Sequence, residues 1–259
     1  MYEYEAGILR TEYRGNNSYL LDISCEPVAR EVVPGQFVQV RTGCGTDPFL
    51  RRTFSVCDAD PEKGEIKLMI EVKARGTSIL CSMKRGEIVN VIGSLGKGFD
   101  LHFGGDGPCV LVAGGVGAAP LLFLARELVR KARRQVFFMM GARNSEGLHV
   151  IHGLLKKDII VYTATEDGSS GFYGLVSKML EENIETISPA AIYTCGPDAM
   201  MKEIASIAKD AGIPCQVSLE ERMACGIGVC YGCTVQFCDG RMVRTCVDGP
   251  VFNADEVFS

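Results

Sequence analysis

The first hundred residues alternate short apolar runs with turn-forming residues. Five runs are rich in Val, Ile, Phe and Thr and are separated by Gly, Pro and Asp: NNSYLLDISC, GQFVQVRT, RTFSVCDA, GEIKLMIEVK and GEIVNVIGSLG. Short strands at this spacing are typical of a small antiparallel barrel or sandwich. Only one helix is expected here, GTSILCSM, beginning at Thr77 or Ser78. We therefore predict a β-barrel domain over residues 1–100.

The pattern changes near Pro108, where longer apolar runs alternate with segments of helical periodicity. PCVLVAGG is a continuous apolar run, as expected of a strand buried on both faces, and AAPLLFLARELVRKA follows it with helical spacing. The same alternation continues through QVFFMMGAR, DIIVYTAT and AAIYTCG to the helix PDAMMKEIASIAKDAG. Alternating strands and helices predict a doubly wound parallel sheet. We assign residues 101–213 to this α/β domain.

The last segment, residues 214–259, breaks the alternation. PCQVSLEERMACG begins like one more strand and then enters a cysteine-rich loop. CTVQFCDGRMVRTCV predicts a hairpin that turns at Asp239-Gly240. The segment is too small to bury much core of its own, so we expect another kind of group to hold it together.

Composition and charge narrow the possible partners and location. The 259 residues are 47% apolar and 23% charged, with a net charge of −5. This balance gives no electrostatic reason to expect nucleic acid or an anionic membrane as a partner. No apolar run reaches the roughly 18 residues of a membrane span, and the N-terminus MYEYEAGILR is unlike a signal peptide. Twelve cysteines in such a chain favour free thiols over disulfides, and we expect a cytoplasmic protein.

Four cysteines near the C-terminus have the spacing of a metal centre. They follow the pattern C-x4-C-x2-C-x12-C: Cys225, Cys230, Cys233 and Cys246. This pattern matches the plant-type ligand set of a [2Fe–2S] cluster, a one-electron carrier. A loop that wraps closely around a cluster needs N–H groups turned toward its sulfurs and residues without a Cβ. That need explains the glycines in between: Gly226, Gly228 and Gly232.

Two alternatives to this ligand set stay open. Zinc also binds four cysteines, although a zinc ribbon normally has two short-spaced pairs and this segment has only one. Cys238 is a rival to Cys246 as the fourth ligand, although it lies close to the predicted hairpin turn.

A flavin site is indicated by RRTFSV, residues 51–56, at a predicted strand. Its Arg-x-aromatic-Ser pattern resembles the flavin-binding signature of the ferredoxin–NAD(P) reductase superfamily. Arg52 is suited to the pyrophosphate of FAD because a guanidinium makes two-point contacts with phosphate oxygens. We expect Phe54 against the isoalloxazine or its ribityl chain and the Ser55 hydroxyl within reach of flavin N5. We also expect Thr53, between Arg52 and Phe54, to bind the cofactor.

A second segment, IEVKARGTS over residues 70–78, supports the flavin site. It places a helix start at Gly76, Thr77 and Ser78, where backbone N–H groups and the helix dipole favour an anion. The superfamily resemblance implies that the FAD pyrophosphate lies there, with the preceding strand residues lining the cofactor: Met69, Ile70 and Glu71. IGSLGKGF, residues 92–99, resembles the glycine-rich end of the superfamily's barrel.

A nucleotide loop is indicated by VLVAGGVGAAPL, which runs from a strand through a glycine turn into a helix. It is not the G-x-G-x-x-G dinucleotide fingerprint. It resembles the nucleotide loop of the same superfamily, in which Gly114, Gly115 and Gly117 would allow close approach to phosphate.

A second nucleotide segment, YTCGPDAM, ends a strand at Cys195, Gly196 and Pro197. The resemblance implies that this Cys-Gly-Pro lies beside the nicotinamide. Cys195 and Ser55 are therefore the candidate catalytic residues. NAD is preferred to NADP, although Arg143 follows the second strand, where a 2′-phosphate would lie.

The order of barrel, nucleotide domain and cysteine loop covers the whole chain. It resembles the family of electron transfer subunits of NAD-dependent dihydroorotate dehydrogenase, B type, and LEERMACGIGVCYGC is particularly similar to that family's cluster segment. A neighbouring family, the small subunit of NADH-dependent ferredoxin:NADP oxidoreductase, typically has an aspartate as first cluster ligand, where this chain has Cys225. Small subunits of sulfhydrogenase-type complexes are a further alternative.

The resemblance implies FAD, a [2Fe–2S] cluster and NAD as cofactors. It also implies a separate FMN-containing catalytic subunit that oxidises dihydroorotate to orotate in pyrimidine biosynthesis, in an assembly of two copies of each subunit. Electrons would pass through the cluster to FAD and leave as hydride to NAD⁺. Chemistry supports the second half of this route, because a flavin can join a one-electron cluster to a two-electron nicotinamide.

Overall fold

Six antiparallel strands close the N-terminal barrel. A computed structural model describes residues 2–43 and 47–258 of the chain. The barrel strands are β1 (Tyr2–Tyr13), β2 (Ser18–Ser24), β3 (Phe37–Arg41), β4 (Arg52–Asp60), β5 (Glu65–Glu71) and β6 (Ile88–Leu95). They pair in the order β1-β2-β5-β4-β3-β6, and β6 returns to β1. Apolar side chains such as Leu21, Val38 and Leu68 fill the interior, which confirms the predicted barrel.

Two short helices accompany the barrel, α1 (Glu26–Glu31) and α2 (Arg75–Ser82). The expectation of a single helix is wrong, because α1 is too short to show an apolar period. Pro27 in its first turn is a local signal that favours a helix start here. Strand β1 was also absent from the predicted strands, since charged residues such as Glu3 and Glu5 interrupt its apolar positions.

A parallel sheet follows the barrel. Its parallel strands are β7 (Cys109–Gly114), β8 (Val136–Ala142), β9 (Ile159–Thr165), β10 (Phe172–Tyr173), β11 (Ala191–Cys195) and β12 (Cys215–Ser218). They lie in the order β10-β9-β8-β7-β11-β12. Strands β8, β9 and β10 are therefore added on one side of β7, and β11 and β12 are added on its other side.

Helices cover both faces of this sheet. One face carries α3 (Ala118–Arg130) and α4 (Ser145–Leu148), and the other carries α5 (Val176–Ile187) and α6 (Asp198–Asp210). The predicted doubly wound parallel sheet is confirmed. In the part of the chain that the structure describes, no helix combines the length and the apolar character needed to cross a membrane.

The C-terminal segment leaves the sheet and returns to it. Strands β13 (Thr234–Gln236) and β14 (Met242–Arg244) form the predicted hairpin, and Asp239 and Gly240 lie in its turn. The chain then re-enters the sheet as β15 (Val251–Asn253), antiparallel to β12, and ends in helix α7 (Ala254–Val257). Ser218 of β12 lies opposite Val251 of β15, so the intervening segment starts and ends at neighbouring points.

Helix α3 joins the sheet to the barrel. Phe123 on this helix is buried within the barrel core. Arg126 forms an ion pair with Asp58 and donates from Nη2 to the Ala59 carbonyl at 2.7 Å. The glycine turn before α3 consequently faces β4 across a cleft.

Candidate redox site

Four thiols come together around the C-terminal hairpin. Cys225, Cys230 and Cys233 lie between β12 and β13, and Cys246 lies in the turn after β14. They lie in two neighbouring pairs, Cys225 with Cys230 and Cys233 with Cys246. Within the described residues, no group of three or more His, Cys, Asp or Glu side chains converges on a single ion position. Two pairs of thiols suit a cluster of two irons that is held by four cysteines.

Backbone N–H groups of the loop point at the sulfurs. Cys225 Sγ accepts from Ile227 N at 3.5 Å and from Cys230 N at 3.4 Å. Gly228 N donates to Cys246 Sγ at 3.2 Å, and a further N–H reaches the Cys230 sulfur. Donors aimed at sulfur stabilise negative charge there, as the sequence analysis expects of a loop that wraps a cluster.

The thiols differ in how readily they ionise. Burial raises the pKa of Cys225, but the N–H groups of Ile227 and Cys230, the Cys230 thiol and the Val229 N–H lower it more, to about 6. Burial raises the pKa of Cys246 to about 11. The thiolate is the form that binds metal, so Cys225 loses its proton more readily than Cys246 when the two become ligands.

Arg244 connects the hairpin to the cysteine loop and is not among the predicted site residues. Its Nη1 donates to the Gly228 carbonyl at 3.1 Å, and its guanidinium lies 5.4 Å from the ring centroid of Tyr231. Its Nε is 3.3 Å from Asp248 Oδ2. A cation is thereby held close to the thiols. No motif spacing links Arg244 to these partners, so only the fold reveals the contact.

Cys238 lies apart from the paired thiols. It is exposed in the hairpin loop, and its backbone N–H donates to the Glu256 carbonyl at 2.9 Å. Of the two candidates for the fourth thiol, Cys246 is the one that pairs with Cys233.

A cleft between β4 and the glycine turn before α3 contains most of the predicted flavin residues. Seven of them line it: Arg52, Thr53, Phe54, Ser55, Met69, Glu71 and Thr77. Phe54 also belongs to the barrel core. Ile70 is wholly buried in that core and Ser78 is exposed on α2, so the structure places these two residues outside the cleft lining.

The start of α2 lies beside the Arg52 guanidinium. A Cβ on Gly76 would overlap this guanidinium, so only glycine lets the two approach. Thr77 Oγ1 accepts from the backbone N–H of Lys73 at 3.0 Å and of Ala74 at 3.2 Å, which closes the turn that leads into the helix. An arginine next to a helix N-terminus suits a pyrophosphate, so the residues present fit FAD.

The C-terminal segment supplies a wall of the same cleft that the sequence analysis did not predict. This wall consists of Leu219, Glu220, Glu221, Met223 and Pro250. Glu220 is an exposed residue that lines this cleft. Desolvation of its carboxyl by the surrounding groups raises the pKa of Glu220, Lys73 opposes the rise, and the carboxyls of Glu71 and Asp198 add to it. No local pattern signals the wall, because its residues meet β4 only through the fold.

The carboxyl ends of β7 and β11 lie side by side where the strand order reverses. Ala113 lies opposite Cys195 in this pair of strands. Ligands of open α/β sheets bind at this position. The predicted nucleotide residues meet here, since a Cβ on Gly117 would overlap the Cys195 carbonyl and one on Gly114 would lie 2.8 Å from Pro197 Cδ. Gly115 and Gly196 belong to the same two turns.

Cys195 is buried, with 1% of its surface exposed. Burial raises the pKa of its thiol, the nearby Glu220 carboxylate raises it further, and Ser218 opposes both. The thiol is therefore neutral at physiological pH and is not an activated nucleophile. Arg143 is exposed just after β8.

Two protein families match the chain. The iron–sulfur cluster binding domain of dihydroorotate dehydrogenase B matches residues 220–258, and the oxidoreductase NAD-binding domain matches residues 111–206. The first range contains all four paired thiols, and the second contains both the glycine turn and the Cys-Gly-Pro segment.

Relatives of similar length share the sequence. A dihydroorotate dehydrogenase B (NAD⁺) electron transfer subunit from Desulforamulus reducens is 39% identical over 257 residues, which are 98% of this chain and 97% of the relative. A subunit of the same name from Caldanaerobacter subterraneus is 37% identical over 243 residues, 93% of each chain. The solved structure of an NADH-dependent reduced ferredoxin–NADP oxidoreductase superposes with a TM-score of 0.87 at 29% identity and covers 97% of this chain and 88% of that one.

The barrel, the parallel sheet and the thiol loop define an oxidoreductase with the fold of the ferredoxin–NAD(P) reductases and a C-terminal iron–sulfur domain. Sequence similarity narrows this class. The chain belongs to the family of dihydroorotate dehydrogenase B (NAD⁺) electron transfer subunits. Its fold and domains support FAD, a [2Fe–2S] cluster and NAD as cofactors, which confirms the resemblance found in the sequence.

Proposed function

We propose that this chain passes electrons from an FMN-containing, dihydroorotate-oxidising subunit to NAD⁺ through its own cluster and flavin sites. One observation supports this route most directly. Phe37 lines the cleft between β4 and the glycine turn, here called the flavin cleft, and belongs to one buried cluster with Cys233 and Cys246. This buried cluster thus connects the two redox sites. Oxidation of dihydroorotate releases two electrons and two protons, and FAD supplies the exchange between one-electron and two-electron carriers.

Each group of site residues has its own task in this proposal. The four paired thiols hold the cluster: Cys225, Cys230, Cys233 and Cys246. Arg52 and the N-terminus of α2 would hold the pyrophosphate of FAD, and the Ser55 hydroxyl, which lines the same cleft, would interact with flavin N5. The glycine turn before α3 binds the NAD phosphates. Cys195 contributes a neutral, packed surface beside the nicotinamide, in keeping with its burial.

Residues 1–100 would bind FAD, residues 101–213 would bind NAD and residues 214–259 would hold the cluster. The assembly contains two copies of this chain and two of the FMN subunit. We also place the complex in the cytoplasm, which is in keeping with eleven free cysteines among the described residues. The reducing cytoplasm keeps such thiols from forming disulfides.

Purification of the chain alone tests its cofactors. The protein is expected to be coloured, to contain iron and FAD in a ratio of about two to one, and to bleach when NADH is added without oxygen. Colourless protein, or zinc in place of iron, contradicts the proposal.

Purification from the native host tests the partner. A dihydroorotate-oxidising, FMN-containing subunit is expected to accompany the chain and to reduce NAD⁺ only in its presence. If a ferredoxin:NADP oxidoreductase or hydrogenase subunit accompanies the chain instead, the chain serves one of those complexes and the proposal is wrong.

A further inference from the structure

Gln39 lies between strand β4, here called the flavin strand, and the loop of residues 224–233 that carries three of the paired thiols, here called the cluster loop. It is on β3, directly opposite Thr53 of β4, and only 1% of its surface is exposed. Its Nε2 lies 3.4 Å from Thr53 Oγ1 and 3.5 Å from the carbonyl oxygen of Ala224, the residue before Cys225. One amide group therefore contacts both a residue of the flavin cleft and the backbone of the cluster loop.

Gly226, the residue after Cys225, lies flat against the same amide. A Cβ built on Gly226 would be 2.7 Å from Cδ, 2.8 Å from Nε2 and 2.9 Å from Oε1 of Gln39. Because the three distances are nearly equal, the plane of the amide faces the Cα of Gly226. Gln39 thus contacts the chain on both sides of Cys225.

The amide of Gln39 is otherwise unfavourable where it lies. Its Oε1 is buried and has no hydrogen-bond partner in the described chain. Buried polar atoms normally have one, and an apolar side chain of similar size would avoid the unpaired acceptor. A requirement for a flat group that also donates to the Ala224 carbonyl explains why an amide occupies this position.

Phe37 completes the support for the loop. It is two residues before Gln39 on β3 and points to the same side of the strand. It shares a buried cluster with Cys233 and Cys246, while Gln39 contacts the chain around Cys225. Strand β3 therefore supports both thiol pairs, and its cross-strand neighbours Ser55 and Thr53 line the flavin cleft.

We propose that Gln39 is a positioning residue that holds the Cys225 end of the cluster loop against the flavin strand and so sets the separation of cluster and flavin. The inference rests on the proposed function, since it names a residue that serves the same electron route. Transfer of a single electron slows steeply as the distance between two redox groups grows. Loss of the amide should therefore slow the step between flavin and cluster without slowing the step between NADH and flavin.

Gln39→Leu and Gln36→Leu form the matched pair for the test. Gln36 lies just before β3, and its Nε2 donates to the Gly96 carbonyl at 2.8 Å instead of to the cluster loop. Purified proteins with both cofactors are mixed with NADH without oxygen, and flavin and cluster reduction are followed separately. In Gln39→Leu, we expect flavin reduction within about twofold of the wild type, cluster reduction about tenfold slower and an altered electron paramagnetic resonance spectrum. Gln36→Leu should change none of these.

Hydrogen–deuterium exchange gives a second readout that needs no turnover. The amides of residues 224–230 should exchange faster in Gln39→Leu than in the wild type or in Gln36→Leu. Loss of the cluster from Gln39→Leu alone also supports the proposal. Equal cluster reduction and equal exchange in Gln39→Leu and the wild type overturn it.

A double variant keeps the test decisive if Gln39→Leu folds poorly. Gly226→Ala drives a Cβ into the Gln39 amide, and Gln39→Ala makes room for it, so the pair should retain more cluster than Gly226→Ala alone. Independent effects of the two changes contradict the proposal. If the wild-type cluster is not reduced by NADH at all, the proposed function fails instead, and the exchange experiment alone decides whether Gln39 holds the loop.

Discussion

Arg52 on β4 lies directly over Gly76 at the start of α2. The approach is so close that a Cβ on Gly76 would overlap the guanidinium, and Arg52 Nη1 also donates to the Leu50 carbonyl. The guanidinium therefore lies between the Leu50 carbonyl and the backbone of Gly76. A positive charge is thereby held at a helix N-terminus, on the edge of the flavin cleft.

We expect Arg52→Ala to weaken FAD binding by about tenfold or more, because charge-assisted hydrogen bonds to phosphate are lost. Fluorescence titration of FAD into flavin-free protein measures the change. Arg51→Ala is the control, since Arg51 pairs with Glu3 at 2.7 Å and donates to the Asn90 carbonyl at 3.2 Å, away from the cleft. Equal losses in the two variants would remove Arg52 from the flavin site.

The fourth thiol can be tested by removing each candidate. Cys246→Ser should lower the iron content of the purified protein by at least about half, because Cys246 completes the set of four cysteines. Cys238→Ser should retain wild-type iron, because Cys238 is exposed in the hairpin loop. Iron and acid-labile sulfide analysis decides between them, and the reverse order of losses would make Cys238 the ligand.

The glycine turn before α3 can be tested at Gly115. This residue has a φ of +56°, and a Cβ on it would have no heavy atom within 4 Å, so the added methyl points into open space. If phosphate binds there, Gly115→Ala should raise the KM for NADH about tenfold while leaving FAD content unchanged. Dye reduction by NADH measures the change.

Gly212→Ala is the matched control for Gly115→Ala. Gly212 has a φ of +68° and equally open surroundings, but it lies after α6, away from the nucleotide turn. The two variants therefore carry similar backbone strain, and only Gly115→Ala should affect NADH. A similar rise in KM in both would mean that strain alone causes it.

A pH-dependent contribution to stability is expected from Glu127 on α3. Its side chain is 1% exposed and contacts Arg126 at 3.3 Å, Arg130 at 3.0 Å and Lys131 at 2.7 Å. Burial raises its pKa, but the bonds to Arg130 and Lys131 lower it more, so the net shift is downward from 4.5. A carboxyl with a lowered folded-state pKa stabilises the fold above its unfolded pKa, and this contribution is lost as the pH falls through the folded one.

Glu127→Gln should therefore lower the free energy of unfolding by about 2 kcal/mol at neutral pH. The difference from the wild type should shrink as the pH falls below 4.5. Urea unfolding at neutral and at acid pH measures both effects. Glu181→Gln is the control, since the pair of Glu181 with Lys178 is exposed and should contribute little to stability.

Local patterns predicted most of this fold. A continuous apolar run predicts the buried strand β7, and helical spacing of apolar residues predicts the amphipathic helix α3. The spacing of the four cysteines along the chain predicts that their thiols lie together. Such signals lie within one element or one loop. Helix α1 and strand β1 lacked them, because one is six residues long and the other carries charges throughout.

Local sequence patterns did not predict the contacts between segments that are distant in the chain. Glu220 enters the flavin cleft, and Gln39 meets the loop around Cys225, only because the C-terminal segment folds back onto the barrel. Neither residue has a local motif. The same limit applies to Ile70 and Ser78, since their placement outside the cleft depends on which side of β5 and α2 faces it.

Ser218 and Val251 stand opposite each other in neighbouring strands, although the whole cysteine-bearing stretch separates them in the chain. A segment whose two ends lie side by side can be lengthened, shortened or replaced without moving the strands on either side of it. A metal-binding segment can therefore be inserted at this edge of a nucleotide-binding domain while the sheet stays unchanged. The same position can accept a segment that carries a different electron carrier.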